Sequence, residues 1–316
     1  MSPTDIFTPA SSAARLVFDL SIMVYTISGA VFVVVFGLIT YSLFKFRKRR
    51  ADNGREPPQV YGSKHIELAW TIIPVLIVLV LFLASARVIY AMQDPRARRD
   101  DLDVNVVGHQ FWWEYRYPEL GVVTANELHV PASDPQRPTR ILLHLYSADT
   151  VHSFWVPRLA GKTDLVPNFP NTMWIDPERP GLYLGQCAQY CGAQHAKMLL
   201  RVYVEPRREF DEWVEGQKRS VIDSPAVARG RELFEKTACM SCHTIAGSVA
   251  RGRFGPDLTH LMSRDTLASG IVPNTRENLR RWVEHPDTFK PASLMPAMGF
   301  SDRELDAVTD YLMTLR

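Results

Sequence analysis

The 316 residues exceed what one small domain needs and suit two or three folding units. Lys and Arg number 36 against 34 Asp and Glu, a formal net charge of +2, so no global field selects nucleic acid or an acidic polymer as partner. All four cysteines fall into two close pairs, Cys187 with Cys191 and Cys239 with Cys242, each with histidine downstream, which favours metal or haem attachment over disulfides.

In chain order, residues 20–44 carry no charge and residues 68–86 form a second uncharged run, each meeting the roughly 20 apolar residues of a membrane span. Pro74 near the start of the second run is tolerable in a membrane helix. Between the runs Lys45, Arg47, Lys48, Arg49, Arg50, Arg55 and Lys64 face only Asp52 and Glu56, and the positive-inside rule makes this connector cytoplasmic. Beyond the second run Arg96, Arg98 and Arg99 are offset by Asp94, Asp100, Asp101 and Asp103, so everything past about residue 95 is expected outside. The first fifteen residues hold one basic residue, Arg15, and no basic region ahead of an apolar core, so no cleavable signal is expected.

Residues 102–205 read as a small β sandwich or barrel, with short apolar runs at 104–107, 141–145 and 199–204 separated by Pro, Gly, Asn and Asp. His152 falls in the turn after the second run. His109, His129 and His144 are expected to be structural, as isolated histidines at strand ends usually are. The loop Cys187-Ala-Gln-Tyr-Cys191-Gly-Ala-Gln-His195-Ala-Lys-Met198 packs two thiols, an imidazole and a thioether together. Soft sulfur with imidazole is a copper donor set, and two thiolates four residues apart can bridge two ions. On its own, CxxxC with a nearby histidine suits structural zinc equally well.

After a polar stretch at 216–225 the pattern turns helical and runs into Cys239-Met-Ser-Cys242-His243, the c-type haem attachment signature. The cysteines are spaced for two thioethers and His243 for the proximal iron position. Lys290-Pro-Ala-Ser-Leu-Met295-Pro-Ala-Met298 presents a thioether loop, and Ser301 to Glu304 opens a final helix with a capping box, placing Leu305, Val308 and Leu312 on one face. That helix is expected to cross the one containing Leu233 and Phe234.

Asp149-Thr-Val-His152-Ser-Phe-Trp-Val-Pro157 followed by Gly185-Gln-Cys187 through Met198 resembles the binuclear copper (CuA) site of cytochrome c oxidase subunit II, and Glu67-Leu-Ala-Trp-Thr-Ile-Ile-Pro74 and Gly108-His-Gln-Phe-Trp-Trp extend the likeness over residues 15–205. The resemblance implies a cupredoxin-like sandwich in which Cys187 and Cys191 bridge both coppers while His152, His195, Met198 and the Gln189 carbonyl complete the site. The family usually has glutamate where Gln189 stands, so the interface magnesium or manganese ion loses its carboxylate here. Phe111 stands where tryptophan is common. Glu67 resembles the family's acid near a proton-uptake channel of subunit I. Gly255-Pro-Asp-Leu resembles class I cytochromes c and implies that the Pro256 carbonyl fixes His243. It also implies Met295, which precedes proline, as the axial ligand, with Met298 as the alternative.

The resulting expectation is a multi-domain chain: a transmembrane hairpin over residues 1–95 with spans at about 18–45 and 66–91, a cupredoxin-like CuA domain over 96–210, a linker over 211–224 and an all-α class I cytochrome c domain over 225–316. It resembles subunit II of a caa3-type oxidase in a bacterial cytoplasmic membrane, with both redox domains on the outer side. Implied partners are oxidase subunits I and III, membrane lipid, and cytochrome c or a membrane-bound donor complex. One covalent haem c would pass electrons to CuA and on to subunit I, where oxygen reduction is coupled to proton pumping. A CuA-containing nitric-oxide reductase subunit and a membrane-anchored copper assembly factor are the alternatives. The latter would not need the haem motif.

Overall fold

The computed structural model describes residues 5–47, 59, 61–93, 102–134, 136, 139–221 and 224–316. The connector charges Lys48, Arg49, Arg50, Asp52, Arg55 and Glu56, and the flanking Asp94, Arg96, Arg98, Arg99, Asp100 and Asp101, lie outside the described residues. Two compact units emerge, one of residues 16–94 and one of residues 1–15 with 95–316.

The first unit consists of most of helix α1 (Ser12–Lys45) and helix α2 (Lys64–Met92), both long and apolar enough to cross a membrane. Their side chains are exposed, Phe32 and Val78 by 65% each, which a core helix of a globular protein would not tolerate. α1 begins ahead of the expected residue 18 because its first turn is anchored in the second unit. There the Ser12 N–H donates to Asp176 Oδ1 at 2.9 Å and Arg15 pairs with Glu178 at 2.6 Å.

In the second unit ten strands form a cupredoxin-like sandwich: β1 (Leu102–His109), β2 (Trp112–Tyr117), β3 (Val122–Ala125), β4 (Glu127–Pro131), β5 (Ile141–Ser147), β6 (His152–Trp155), β7 (Thr163–Leu165), β8 (Asn171–Ile175), β9 (Gly181–Cys187) and β10 (Leu199–Glu205). One sheet has the order β3-β2-β1-β5-β8, the other β4-β10-β9-β6-β7. Alternation in β10 buries Leu200, Val202 and Val204, and β5 buries Ile141, Leu143 and Leu145 in the same way, which sets the register of each sheet against the shared core. His152 is the first residue of β6, paired with Leu165, and not part of a turn as its position after β5 suggests.

Helix α3 (Arg207–Gln217) runs through the start of the expected linker. Phe210 and Val214 are buried in the sandwich core, and Trp213 stacks on His129 with ring centroids 4.3 Å apart. The i, i+3, i+4 spacing of these residues is an amphipathic helix signal hidden among Arg, Asp and Glu.

The remaining residues build a helical domain from α4 (Ala228–Lys236), α5 (Cys239–Cys242), a small hairpin of β11 (Thr266–Leu267) and β12 (Val272–Pro273), α6 (Arg276–Glu284), α7 (Pro286–Phe289) and α8 (Asp302–Leu312). α8 opens with the capping box, the Ser301 N–H donating to Glu304 Oε2 at 3.1 Å, and buries Leu305, Val308 and Leu312. It crosses α4 at Gly230, where a Cβ would lie 1.9 Å from the Ala307 carbonyl oxygen, and Phe234 meets Tyr311 edge-on.

Phe210→Ala is expected to destabilise the sandwich by about 3–5 kcal/mol, since it deletes a buried ring. Chemical denaturation of the full chain, followed by tryptophan fluorescence, checks this. An unchanged midpoint would remove Phe210 from the sandwich core and leave residues 211–224 as linker.

Candidate copper and haem centres

β9 delivers Cys187 to the rim of the sandwich, and the chain folds back before β10 so that the Cys187 N–H donates to the Met198 carbonyl at 2.9 Å. This closure brings the donors together. The two sulfurs are 3.8 Å apart. His152 Nδ1 is 4.0 Å from Cys187 Sγ, His195 Nδ1 is 3.8 Å from Cys191 Sγ, and Met198 Sδ is 3.9 Å from Cys191 Sγ. The Gln189 carbonyl oxygen lies 3.2 Å from Cys187 Sγ while its side chain is exposed. His152, Cys187, Cys191 and Met198 are buried.

Such a donor set fits soft ions sharing two thiolates, because nitrogen, thioether and carbonyl donors flank both sulfurs rather than surrounding one point. Hydrogen bonding with Cys191 holds the Cys187 thiol well below its ordinary range, against burial and with help from His152, and the same pairing raises Cys191. Burial opposes charging His152, yet the Asp149 carboxylate at 2.7 Å raises its pKa on balance. Asp149 also accepts the Gln110 N–H at 2.6 Å, and Gln110 Nε2 donates to the Cys191 carbonyl at 2.6 Å. Sequence reasoning quoted Asp149 and Gln110 without giving them roles. For Asp149 the signal was its i, i+3 spacing from His152.

His109 pairs with Glu114 at 3.0 Å, His129 with Glu205 at 3.0 Å and His144 with Asp103 at 3.6 Å, away from the sulfur cluster. Glu67 is exposed in the first turn of α2, where a carboxylate complements the helix N-terminus.

In the helical domain Cys239, Cys242 and His243 border an open, mainly apolar cleft, with Met295 and Met298 among its lining residues. His243 Nδ1 donates to the Pro256 carbonyl at 2.7 Å. Burial lowers its pKa, so the ring is held neutral with Nε2 as the remaining donor atom. Gly255 is required by this approach, since a Cβ there would lie 2.5 Å from His243 Cε1. Met295 is half-buried and packs against the core of the domain. A large apolar cleft with two thiols, a fixed imidazole and a thioether fits a covalently attached haem.

Three stretches of the chain match known families: residues 4–88 the cytochrome c oxidase subunit II transmembrane domain, residues 102–204 its periplasmic domain and residues 227–316 cytochrome c. Cytochrome c oxidase subunit 2 of Alkalihalophilus pseudofirmus is 32% identical, covering 98% of this chain and 90% of that protein. The Bacillus subtilis protein of the same description is 31% identical over 98% and 90%. Among solved structures, the periplasmic domain of cytochrome oxidase subunit II of Bradyrhizobium japonicum is 28% identical, covering 39% of this chain and 96% of that one at a TM-score of 0.36. With the sulfur cluster and the CxxCH cleft in place, the chain belongs to the cytochrome c oxidase subunit II family, in the form that carries a fused cytochrome c domain.

Proposed function

We propose that this electron-accepting subunit of a haem-copper oxidase takes electrons at a covalent haem c and passes them through a binuclear copper centre toward subunit I. The observation that supports this reading is a buried two-sulfur donor cluster and a CxxCH cleft within one compact unit. Cys187 and Cys191 would supply the two thiolates that hold the copper pair, and His152, His195, Met198 and the Gln189 carbonyl would complete the donor set. Cys239 and Cys242 would hold the haem through their sulfurs, and His243 and Met295 would supply nitrogen and thioether to its iron. When bound, these groups supply two one-electron redox stations in series.

The protein's own contribution is orientation and exclusion of water. Asp149 fixes the His152 tautomer so that Nδ1 faces the sulfurs, and Pro256 does the same for His243. Burial of Cys187, Cys191 and Met198 keeps the donors dry and limits their rearrangement. Gln189 offers no carboxylate to a hard interface cation, which argues against magnesium or manganese at this position.

The chain lies in a bacterial cytoplasmic membrane as a two-pass protein with its redox domains outside. Residues 5–15 belong to the same unit as the sandwich, and two crossings return the chain to the same face. Subunit III and either cytochrome c or a membrane-bound donor complex are further partners. Glu67, in the first turn of α2, feeds protons toward subunit I.

A purified complex with haem a and oxygen uptake is expected; non-haem iron with nitric-oxide uptake would overturn the assignment. Met295→Ala is expected to lose the His/Met spectrum and lower the haem potential, whereas an intact spectrum would move the ligand to Met298. Asp149→Asn is expected to weaken copper binding by about 10–100-fold in competition with a chelator. Glu67→Ala should slow turnover and proton uptake, and unchanged values would remove Glu67 from the proton path.

A further inference from the structure

The densest polar cluster outside the two centres lies in the seam between the sandwich and the helical domain. Glu127, the first residue of β4, is 1% exposed. Its carboxylate accepts the Asp265 N–H at 3.0 Å, the Thr266 N–H at 2.9 Å and the Thr266 hydroxyl at 2.5 Å, with Arg201 Nε at 3.7 Å. Burying a carboxylate is costly unless it is paired and hydrogen-bonded. Here three of its partners come from the helical domain, 138 and 139 residues further along the chain.

Those partners open the β11–β12 hairpin, whose tip residues Ala268, Ser269 and Gly270 have φ of 55°, 62° and 84°. Left-handed backbone at two successive non-glycine residues is unfavourable and persists where surrounding contacts over-determine it. The contacts are present: the buried Ser269 hydroxyl lies 2.9 Å from both the Phe111 carbonyl and the Asn126 side-chain oxygen. The hairpin therefore plugs into the sandwich.

A second set of contacts reaches the copper loop. Lys197 Nζ donates to the Phe289 carbonyl at 2.8 Å, Gln194 Nε2 donates to the Pro291 carbonyl, and buried Lys290 Nζ donates to the Phe111 carbonyl at 2.6 Å. Gln194 and Lys197 are neighbours of His195 and Met198, and residues 289–291 lead directly into the Met295 loop. Both domains line the haem cleft, Thr266, Leu267 and Ser269 from the hairpin and Phe111, Trp112 and Asn126 from the sandwich.

We infer that Glu127 is a positioning residue that latches the hairpin of residues 266–273 to the sandwich and so holds the haem cleft against Phe111 in one fixed pose for electron transfer. This rests on the haem and copper reading above. The latch also reserves the aromatic surface at Phe111 and Trp112 for the chain's own haem domain. An external donor then addresses the haem domain and not the copper domain.

The test uses the purified complex loaded with both centres, comparing the parent with Glu127→Ala, Glu127→Gln and Ser269→Gly. Glycine accepts the positive φ at 269, so that variant removes the hydroxymethyl group without adding backbone strain. Two quantities are read: hydrogen exchange at the Asp265 and Thr266 amides, and the rate of copper reduction after rapid reduction of the haem. With copper and haem spectra unchanged, Glu127→Ala is expected to speed exchange and slow the transfer by about tenfold or more, since each charge-assisted hydrogen bond lost shifts the docked equilibrium by about that factor. Glu127→Gln and Ser269→Gly should move both quantities in the same direction by less, and they decide the matter if the alanine variant does not fold. Parent-like exchange and transfer in all folded variants would overturn the latch. Absence of copper or haem spectra in the parent would instead overturn the functional reading.

Discussion

Two sulfur atoms must be held close together, out of water, without closing into a disulfide and without collapsing onto a single ion. The loop between β9 and β10 does this by fixing both of its ends before it turns: Cys187 is the last residue of a paired strand, and its N–H meets the Met198 carbonyl across the base. Within that closure the sulfurs sit 3.8 Å apart, near enough to share ions, with an imidazole close to each. The rest of the sandwich supports this arrangement. Asp149 orients His152 from the loop before β6, and Gln110 ties the Cys191 carbonyl to the loop after β1. Removing one of these ties leaves the sulfurs in place but frees the groups around them.

The helical domain applies the same logic to a larger group. A short segment cannot build a sizeable core by itself, and here six of its buried apolar residues, Leu258, Leu261, Leu267, Leu279, Val283 and Leu312, line a cleft instead of filling it. A haem held at Cys239 and Cys242, as proposed, would complete such a core as well as serve chemistry. His243 is fixed from behind by Pro256, and the close approach of Gly255 leaves the ring no room to swing. Donor side chains fixed in this way would keep rearrangement small at the proposed centres.

The candidate copper and haem residues were legible because such sites impose local spacing, CxxxC with histidine and methionine downstream and CxxCH, while His152, Gln189 and the methionine before proline came from the family resemblance. Cys187, Cys191, His195 and Met198 lie together as that spacing suggests, and His152 and the Gln189 carbonyl lie beside them. The membrane runs and the capping box at Ser301 were legible for the same reason, each being a pattern within a few turns of chain. What stayed hidden depends on distant partners. α3 looked like linker because its buried face is only Phe210, Trp213 and Val214 amid charged residues. Glu127 gave no sign at all, since the groups it binds are 138 and 139 residues away and two of them are backbone amides. The pairing of Lys290 with the Phe111 carbonyl is likewise invisible in either local sequence. The sequence places a linker over residues 211–224 between the two redox domains, whereas the structure holds those domains in one unit through a buried polar seam.

The account stands on two redox centres in a single chain. Metal and haem analysis of the purified complex, combined with optical and electron paramagnetic resonance spectra, tests this most directly. Two coppers with a mixed-valence signal and one covalently bound haem in this subunit are the expected result. Zinc, or a single labile copper, or the absence of covalent haem would contradict it.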